Sequence, residues 1–452
     1  MSSLAIAGYE ARRLLRDRAL PALLLLLSAA SAYAAWNGVD WVQQREAAID
    51  LLEAEAQDTH ARVRKFVGTL PAVLPRSQPV LPPGSMALVS TGQADAYPFT
   101  ADVIALADRT HLFKRVWADL GNPTVRAAGR FDLAFVIVFL VPLVVLAVTY
   151  DLWSRERERG IAAMVLSQPV SAGALIAIKA LVRGLVVLLP AIAIIVAVVA
   201  GAGARDLAGL AALALTILAY GSFWLALVVL IGLFARRSTE AAIAVGATWL
   251  LVVVMAPSLT LAAIDLVSPP PSEMRFATDI KARLAEITER RRLQGKAQPT
   301  SMRSSAPSIP DEVRDKYAEL IAPDRELAPM IAAHKRAQDA RRGLLDKVRG
   351  FLPSVAVQDA LDRIAGSDAD RALAFQAQVL GFRQELRRRY RNYLDRDRPQ
   401  TLDEYDTLPR FQFRETGGAF QAGVLADLAA LVVATLLILI AAWALRARAA
   451  TP

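Results

Sequence analysis

Six long apolar windows constrain the fold of this 452-residue chain more than any other feature. A helix rises 1.5 Å per residue, so about 20 apolar residues span the roughly 30 Å hydrocarbon core of a bilayer. Windows of this length predict six transmembrane helices, spans 1 to 6. They are Leu20 to Trp36, Phe131 to Tyr150, Leu175 to Ala200, Leu207 to Phe234, Ala241 to Val267 and Val424 to Leu445.

The composition requires a second, water-exposed part. Hydrophobic residues make up 55% of the chain and its mean hydropathy is +0.36, which is too apolar for an ordinary soluble protein. The 21% of charged residues is nevertheless too high for a chain that lies wholly in a membrane. We therefore predict an all-α membrane protein in which six transmembrane helices carry a mainly helical extracytoplasmic module. The absence of cysteine excludes disulfides and thiolate metal sites.

Arginine clusters beside the spans predict the orientation of the chain. Six spans place both termini on one side, and short cytoplasmic loops carry an excess of Lys and Arg. The clusters before span 1 and after spans 2, 4 and 6 all fall on the side of the termini, which is therefore predicted to be cytoplasmic. This orientation explains the net charge of +9 without a nucleic-acid partner. The clustered residues are Arg12, Arg13, Arg16, Arg18, Arg155, Arg157, Arg159, Arg236, Arg237, Arg446 and Arg448.

The topology then assigns every stretch between the spans to one side of the membrane. Residues 1–19, 151–174 and 446–452 are predicted to be cytoplasmic. Residues 37–130 (segment 1) and 268–422 (segment 2) are predicted to be extracytoplasmic. Segment 2 is rich in arginine, but long domains translocate largely regardless of charge. A cytoplasmic segment 2 is the alternative.

Helical periodicity runs through both segments. Segment 1 is predicted to begin as a stalk that prolongs span 1, because Ile49, Leu52 and Ala56 share one helical face. A proline-rich loop follows it. Segment 2 opens with three prolines and is predicted to be mostly helical, with one apolar face that needs a partner. That face would be covered by the core of the module or by a neighbouring subunit. It consists of Val379, Phe382, Leu386, Tyr390 and Tyr393.

The first 19 residues have two interpretations. An interfacial helix that feeds a retained span 1 is favoured, because Ile6 and Leu14 lie opposite Glu10 and Arg13 on an amphipathic helix. A cleavable signal peptide is the alternative, because an Arg-rich start precedes an apolar run that ends in small residues.

The charged turn between spans 2 and 3 carries most of the functional information. Gly160 can end the helix of span 2, and Pro169 breaks the short apolar helix that follows. Ser171 can then cap span 3. These residues predict a short helix that lies across the cytoplasmic face of the membrane. A solvated turn that only maintains orientation is the alternative.

This turn resembles that of type-2 ABC transporter permeases, in the branch with large extracytoplasmic insertions after the first and fifth spans. The family pattern of an acidic residue, Gly, an apolar helix, Leu-Ser-x-Pro-Val-Ser and a Lys recurs here. Ile161 and Ala172 depart from it, since threonine and arginine are frequent there. The segment from Leu408 to Phe411 is similar to a Leu-Pro-x-Phe segment of the same branch. The matching residues of the turn are Glu158, Gly160, Leu166, Ser167, Pro169, Val170, Ser171 and Lys179.

The resemblance implies that the short helix is a coupling helix that docks on a separate ATP-binding subunit. Two copies of that subunit would bind ATP and Mg, and this chain would bind no cofactor. It would lie in the bacterial inner membrane beside a second permease copy or a paralogue. The residues assigned to ATPase coupling are Arg155, Glu156, Arg157, Glu158, Arg159, Gly160, Leu166, Pro169 and Ser171.

Motifs for catalysis are missing from the sequence. It contains no GxxxxGK[ST] phosphate-binding loop, so we predict that the chain does not hydrolyse ATP itself. His60, His111 and His334 stand alone in sequence, outside any metal-binding pattern. We therefore predict no catalytic residue and no metal ligand.

Polar side chains in spans 4 to 6 are candidates for a substrate pathway. Ionisable groups inside a bilayer are often functional, and hydroxyl and indole groups can face a path through the bundle. Helix-to-helix packing is the alternative for the uncharged ones. The candidates are Tyr220, Ser222, Trp224, Thr248, Asp265 and Asp427.

The predicted function is that of a permease that exports a substrate across the inner membrane or extracts one from it. The large outside module suggests that it receives the substrate or contacts a periplasmic partner. One alternative is an ABC-type machine that relays motion through the stalk to periplasmic partners without transport. Another is a membrane-anchored scaffold or sensor without an ATPase.

Overall fold

The computed structural model describes residues 3–68, 73, 76–104, 112–113, 130–167, 171–297, 311–394, 400–415 and 417–446. These residues are mostly helical, and the only β-structure among them is two isolated bridges. Six of their helices are long and apolar enough to cross a membrane, which confirms the predicted fold class.

The helices follow the order of the predicted windows. Spans 2 and 5 are each interrupted by a π-helical turn, at Val136–Leu140 and Leu250–Met255. The helices outside the spans are α1 (Ser3–Leu15), α4 (Ser154–Glu158), α5 (Ile161–Leu166), α10 (Glu273–Ala297), α11 (Asp311–Arg349), α12 (Pro353–Ala365), α13 (Ala369–Leu394) and α14 (Leu402–Asp406). Those that carry the spans are α2 (Ala19–Arg64), Leu133–Phe135 with α3 (Val141–Thr149), α6 (Ala172–Gly201), α7 (Leu207–Gly232), α8 (Ser238–Trp249) with α9 (Ala256–Val267), and α15 (Gly417–Ala444).

Helix α2 is much longer than a bilayer is thick. Its 46 residues correspond to about 69 Å, so the window predicted as span 1 continues without a break into residues 37–64, the stalk. Gly38 lies where a loop of segment 1 crosses the base of the stalk, and a Cβ at this position would overlap the carbonyl group of Leu88. Glycine therefore allows the loop to pack directly on the helix.

Span 4 is the centre of the bundle and packs against spans 2, 3 and 6. Its Ile217 joins Leu27, Ile137 and Val187 in a core whose side chains are fully buried. Span 5 is the least buried of the six, and Ile243 and other large apolar side chains point away from the bundle. The chain therefore presents an apolar lateral surface that suits lipid or another membrane protein.

Each π-helical turn precedes a proline that lacks the N–H needed for the helical hydrogen bond. In span 2, Pro142 leaves the Val138 carbonyl without its usual donor, and the Tyr220 hydroxyl donates to that carbonyl at 3.1 Å. In span 5, Pro257 follows the turn, and the Ser354 hydroxyl donates to the Val252 carbonyl at 3.0 Å. Side chains from other helices thus satisfy backbone groups in both interrupted spans.

We expect Tyr220→Phe to destabilise the folded protein by about 1 kcal/mol, because it leaves a buried carbonyl without a donor. In a Pro142→Ala background the restored N–H can bond to Val138, so the same change should cost much less. Thermal unfolding of the four proteins of this double-mutant cycle measures the coupling. Tyr9→Phe, on an exposed side chain of α1, is the control. Additive effects would contradict this role for the hydroxyl.

The two long segments form one module through buried polar contacts. The loop 84–95 of segment 1 packs on α12 of segment 2, where the Ser90 hydroxyl donates to Asp362 Oδ1 at 2.7 Å. Gln358 donates to the same oxygen at 2.8 Å. The Thr91 amide donates to Asp132 at 3.0 Å, at the start of span 2. The module is thereby attached to the end of the bundle at which span 2 begins.

Helices α10 and α11 pack side by side, and Ile280, Ile287 and Leu327 form their shared core. Arg341 of α11 bonds to Asp265 Oδ1 and to the Ser268 carbonyl, both at 2.5 Å, so this pair of helices is anchored to the end of span 5.

The apolar face predicted on segment 2 belongs to α13 and is covered mainly by the same chain. Val379 and Leu386 pack with Val103 of segment 1, and Tyr393 packs with Tyr405. The core of the module, rather than a neighbouring subunit, is therefore the partner of this face.

Candidate coupling site

The end of the bundle at which the described residues begin and end is called the terminal face. It is formed by α1, residues 151–167, Ser171, residues 233–238 and the end of span 6. Here α4 and α5 form an elbow. Gly160 joins them with a φ of +71°, a left-handed conformation that glycine adopts without strain. The Ser171 hydroxyl accepts a hydrogen bond from the Ala174 amide at 3.3 Å and so caps span 3. Pro169 and the side chain of Leu166 lie outside the described residues.

Three charged residues of the elbow tie it to the neighbouring spans. Glu156 forms an ion pair with Lys179 of span 3. The Arg157 guanidinium donates to the Leu233 and Ala235 carbonyls, after span 4, at 3.2 and 3.3 Å.

Glu158 accepts a hydrogen bond from the Ser238 amide at the start of span 5, at 3.1 Å. A displacement of the elbow would therefore be transmitted to spans 3, 4 and 5 together. Arg155 pairs with Asp151 at 3.1 Å, and Arg159 is exposed with no ion pair among the described residues. These two arginines form the outward part of the charged turn.

A buried ionic network lies behind the elbow. Arg183 of span 3 is 3% exposed and donates to Glu10 of α1 at 2.7 Å and to Asp151 at 2.6 Å. It also donates to the Val148 carbonyl at 3.1 Å. The network holds α1 and the ends of spans 2 and 3 together. A charge inside the third apolar window was a usable signal for Arg183, but nothing in the sequence identified Glu10 as its partner.

A groove of about 630 Å³ separates α1 from the elbow. Cationic side chains, including Arg13, Arg16 and Arg159, line it. Met164 of α5 also borders it and is 67% exposed. An exposed apolar side chain beside charged groups is typical of a protein contact surface.

The six pathway candidates do not converge on one site. Tyr220 and Trp224 are fully buried in span 4, and Ser222 is partly buried beside them. The Thr248 hydroxyl bonds to the Ala244 carbonyl of its own helix at 2.7 Å. Asp265 pairs with Arg341, as described above, and Asp427 lies 3.7 Å from Arg363. Both carboxylates therefore face arginines of segment 2 at the end of the bundle that carries the module.

The histidines take part in packing where the structure describes them. The ring of His60 contacts Tyr405 at 4.6 Å, and the ring of His334 stacks on Phe276 at 3.8 Å. His111 lies outside the described residues. Within the described part of the chain, no group of three or more His, Cys, Asp or Glu residues is arranged to hold a metal ion.

Comparisons with known families divide the chain along the same lines as the structure. Residues 120–278 match the ABC-2 family transporter proteins, and this range contains spans 2 to 5 and the elbow. Residues 312–414 match a domain of unknown function, DUF3526, which covers most of segment 2 from α11 to the extended residues after α14. No curated protein matches the chain.

Proposed function

We propose that this chain, in which residues 120–278 match the ABC-2 family transporter proteins and six helices are long and apolar enough to cross a membrane, is a type-2 ABC transporter permease. A separate ATP-binding subunit would drive it to export a substrate. Two copies of that subunit would bind ATP and Mg on the cytoplasmic side of the bacterial inner membrane. The permease itself would hold no cofactor.

The elbow is the observation that carries this proposal. A docked subunit that moves on nucleotide binding must act on several spans to change access to a pathway. Glu156, Arg157 and Glu158 bond to the ends of spans 3, 4 and 5, so force on α5 reaches three spans. Arg155 and Arg159 supply outward charge, Gly160 sets the angle of the elbow, and Met164 supplies an apolar anchor.

Charge and exposed apolar surface support the remaining parts of the proposal. The arginine clusters beside spans 1, 2 and 4, together with Arg446 after span 6, lie at the terminal face, which favours a cytoplasmic placement of both ends. The exposed faces of spans 5 and 6 suit pairing with a second permease copy or a paralogue. The pathway would then lie between the two permeases, and the outside module would engage the substrate or a periplasmic partner.

The decisive experiment is gentle extraction of the tagged chain from its native membrane, with mass spectrometry of the proteins that co-purify and an ATPase assay. A stoichiometric subunit with a phosphate-binding loop and ATP turnover supports the proposal. Its repeated absence from folded, full-length protein would favour a scaffold or sensor without an ATPase.

We expect Met164→Glu to weaken binding of the ATP-binding subunit at least about tenfold, which corresponds to about 1.4 kcal/mol. The reason is that the change places a charge on the apolar anchor of α5 without disturbing a buried contact. Met274→Glu is the matched control, because Met274 is 80% exposed on α10 of segment 2, far in sequence from the elbow. Co-purification quantified against the tagged chain measures both, and equal recovery from both variants would contradict docking at α5.

A mechanical function without transport is the second candidate, and the unbroken α2 favours it. One helix of 46 residues runs from the terminal face to Arg64, which bonds to Asp406 in the module, so it can relay motion to a periplasmic partner. Structures of the complex with and without nucleotide distinguish the two functions. A polar path between the permeases in one state supports transport, whereas a sealed apolar interface in every state supports mechanical work.

A further inference from the structure

The outer module contains a groove of about 890 Å³ that none of the residues assigned to coupling or to the pathway line. One wall is the stalk, from Ile49 to Arg64. The other walls are two extended segments, residues 76–82 and residues 408–413. Ile49 lies 13 residues beyond the end of the predicted span 1 at Trp36, so the groove begins about 20 Å above the bilayer. A ligand would therefore reach it from the surrounding aqueous compartment.

The hydrogen bonds of residues 77–81 show which edge of this segment is already paired. Ser77 and Val103 exchange two backbone hydrogen bonds at 3.0 and 2.8 Å. The Ala101 amide donates to the Pro79 carbonyl at 2.9 Å, and the Leu81 amide donates to the Phe99 carbonyl at 2.7 Å. In an antiparallel pair the peptide groups alternate between the two edges. The alternate residues Arg76, Gln78 and Val80 must therefore point their peptide groups to the opposite edge.

This opposite edge is open. Within the described part of the chain, the peptide groups of Gln78 and Val80 form no backbone hydrogen bond, and Gln78 Oε1 is also without a partner. Residues 76–80 line the groove, whereas none of residues 99–103 does, so the groove lies beside the open edge. An edge of unpaired N–H and C=O groups is a template for one more strand.

The charges around the groove indicate which extended peptides it would prefer to bind. Arg64 is held by Asp406 at 2.8 and 2.9 Å, and Arg76 by Asp102 at 2.6 and 2.8 Å. Arg410 is exposed and has no ion pair among the described residues. An acidic side chain would complement it, while Glu53 on the stalk disfavours a second acid on the opposite wall.

We propose that this groove binds an extended segment of an extracytoplasmic partner protein by strand addition to the open edge of Arg76–Val80. Backbone hydrogen bonds to Gln78 and Val80 provide the attachment, and an acidic side chain of the segment pairs with Arg410. The location of the partner depends on the orientation proposed above, whereas the peptide chemistry of the groove does not.

The test uses the full-length chain in nanodiscs and a fluorescent ten-residue peptide of alternating valine and threonine with one central aspartate. Fluorescence anisotropy measures binding, and hydrogen–deuterium exchange measures protection of residues 76–82. We expect saturable binding with slower exchange at Gln78 and Val80, and at least tenfold weaker binding of the fully N-methylated peptide. Equal binding of both peptides, no binding, or full protection of these amides before peptide is added would overturn the proposal.

Variants separate the contributions of backbone hydrogen bonds, of the free volume of the groove and of charge to peptide binding. Gln78→Pro removes one open-edge N–H and should weaken binding at least tenfold, while Gln78→Ala should not. Ala56→Trp fills the groove and should abolish binding, whereas Ala54→Trp, on the exposed side of the same helix, should not.

Arg410→Glu should shift the preference from the aspartate peptide to a lysine analogue, and an unchanged preference would exclude the ion pair. If Gln78→Pro does not fold, the two tryptophan variants decide the question. None of these substitutions touches the elbow, so recovery of the ATP-binding subunit tests the proposed function separately.

Discussion

Replacing Arg183 with methionine is expected to lower the free energy of unfolding by about 3–5 kcal/mol, the typical cost of removing one partner from a buried ion pair. Arg183 lies between Glu10 and Asp151, and Glu10 is 2% exposed. Without the guanidinium, both carboxylates keep their burial and lose their buried cation, so that only the more exposed Arg155 and Arg13 remain beside them. Thermal unfolding in detergent measures the loss, and ATP turnover of the assembled complex should fall with it because α1 and spans 2 and 3 lose their common contact.

Arg13→Met is the matched control for this prediction. Arg13 also approaches Glu10, but at 3.9 Å and with 35% of its side chain exposed, so its removal should cost less than about 1 kcal/mol. A triple variant, Arg183→Met with Glu10→Gln and Asp151→Asn, should recover much of the stability, since it leaves none of the three buried charges unpaired. Equal stability of Arg183→Met and Arg13→Met would show that the network contributes nothing beyond a surface pair.

The stability of the module is expected to fall as the pH rises from 5 to 8, by about 2 to 3 kcal/mol from Asp362 alone. Burial raises the pKa of Asp362 from 3.8 to about 7, against the lowering effect of hydrogen bonds from Ser90 and Gln358, and with a smaller increase from Asp132 and Asp359. The folded state therefore binds a proton that the unfolded chain has already released at pH 5. This stabilisation is complete below the unfolded pKa and is lost as the pH rises through the folded one.

Asp362→Asn should flatten this dependence, because asparagine keeps a similar shape and cannot titrate. Asp50→Asn, on an exposed position of the stalk, should leave it unchanged. Burial also raises the pKa of Asp368, so part of the slope should remain in the Asp362 variant. Unfolding followed at several pH values between 5 and 8 gives all three slopes. A wild-type protein that is equally stable at both limits would contradict a protonated Asp362.

The membrane-spanning part was predictable because hydropathy is a local property. Each window contains its own signal for a span, and the glycine, proline and serine of the charged turn act on their immediate neighbours. The prediction of a stalk that prolongs span 1 also depended on the periodicity of a single helix. These features required no knowledge of which helices meet in space.

The contacts that connect helices were not predictable in the same way. Glu10 and Arg183 are 173 residues apart, and no periodicity joins them. Tyr220 was a candidate for the pathway because it is polar within a span. Its hydroxyl donates to the Val138 carbonyl of span 2. That carbonyl lacks its usual backbone donor because residue 142, in a different helix from Tyr220, is a proline. Likewise, the open edge of residues 76–80 exists only because residues 99–103 pair with the other edge.

The uninterrupted α2 has a geometric consequence for the motions that this chain can make. No glycine or proline occurs between Val39 and Arg64, so a tilt of 5° about Trp36 would displace Arg64, about 42 Å away, by about 4 Å. Arg64 is bonded to Asp406, and the His60 carbonyl accepts from the Tyr405 hydroxyl at 3.1 Å, just before the chain returns to span 6. The upper end of the stalk is thus bonded to α14 shortly before the chain enters span 6, so a change in the tilt of span 1 pulls on the segment that leads into span 6 while these bonds persist.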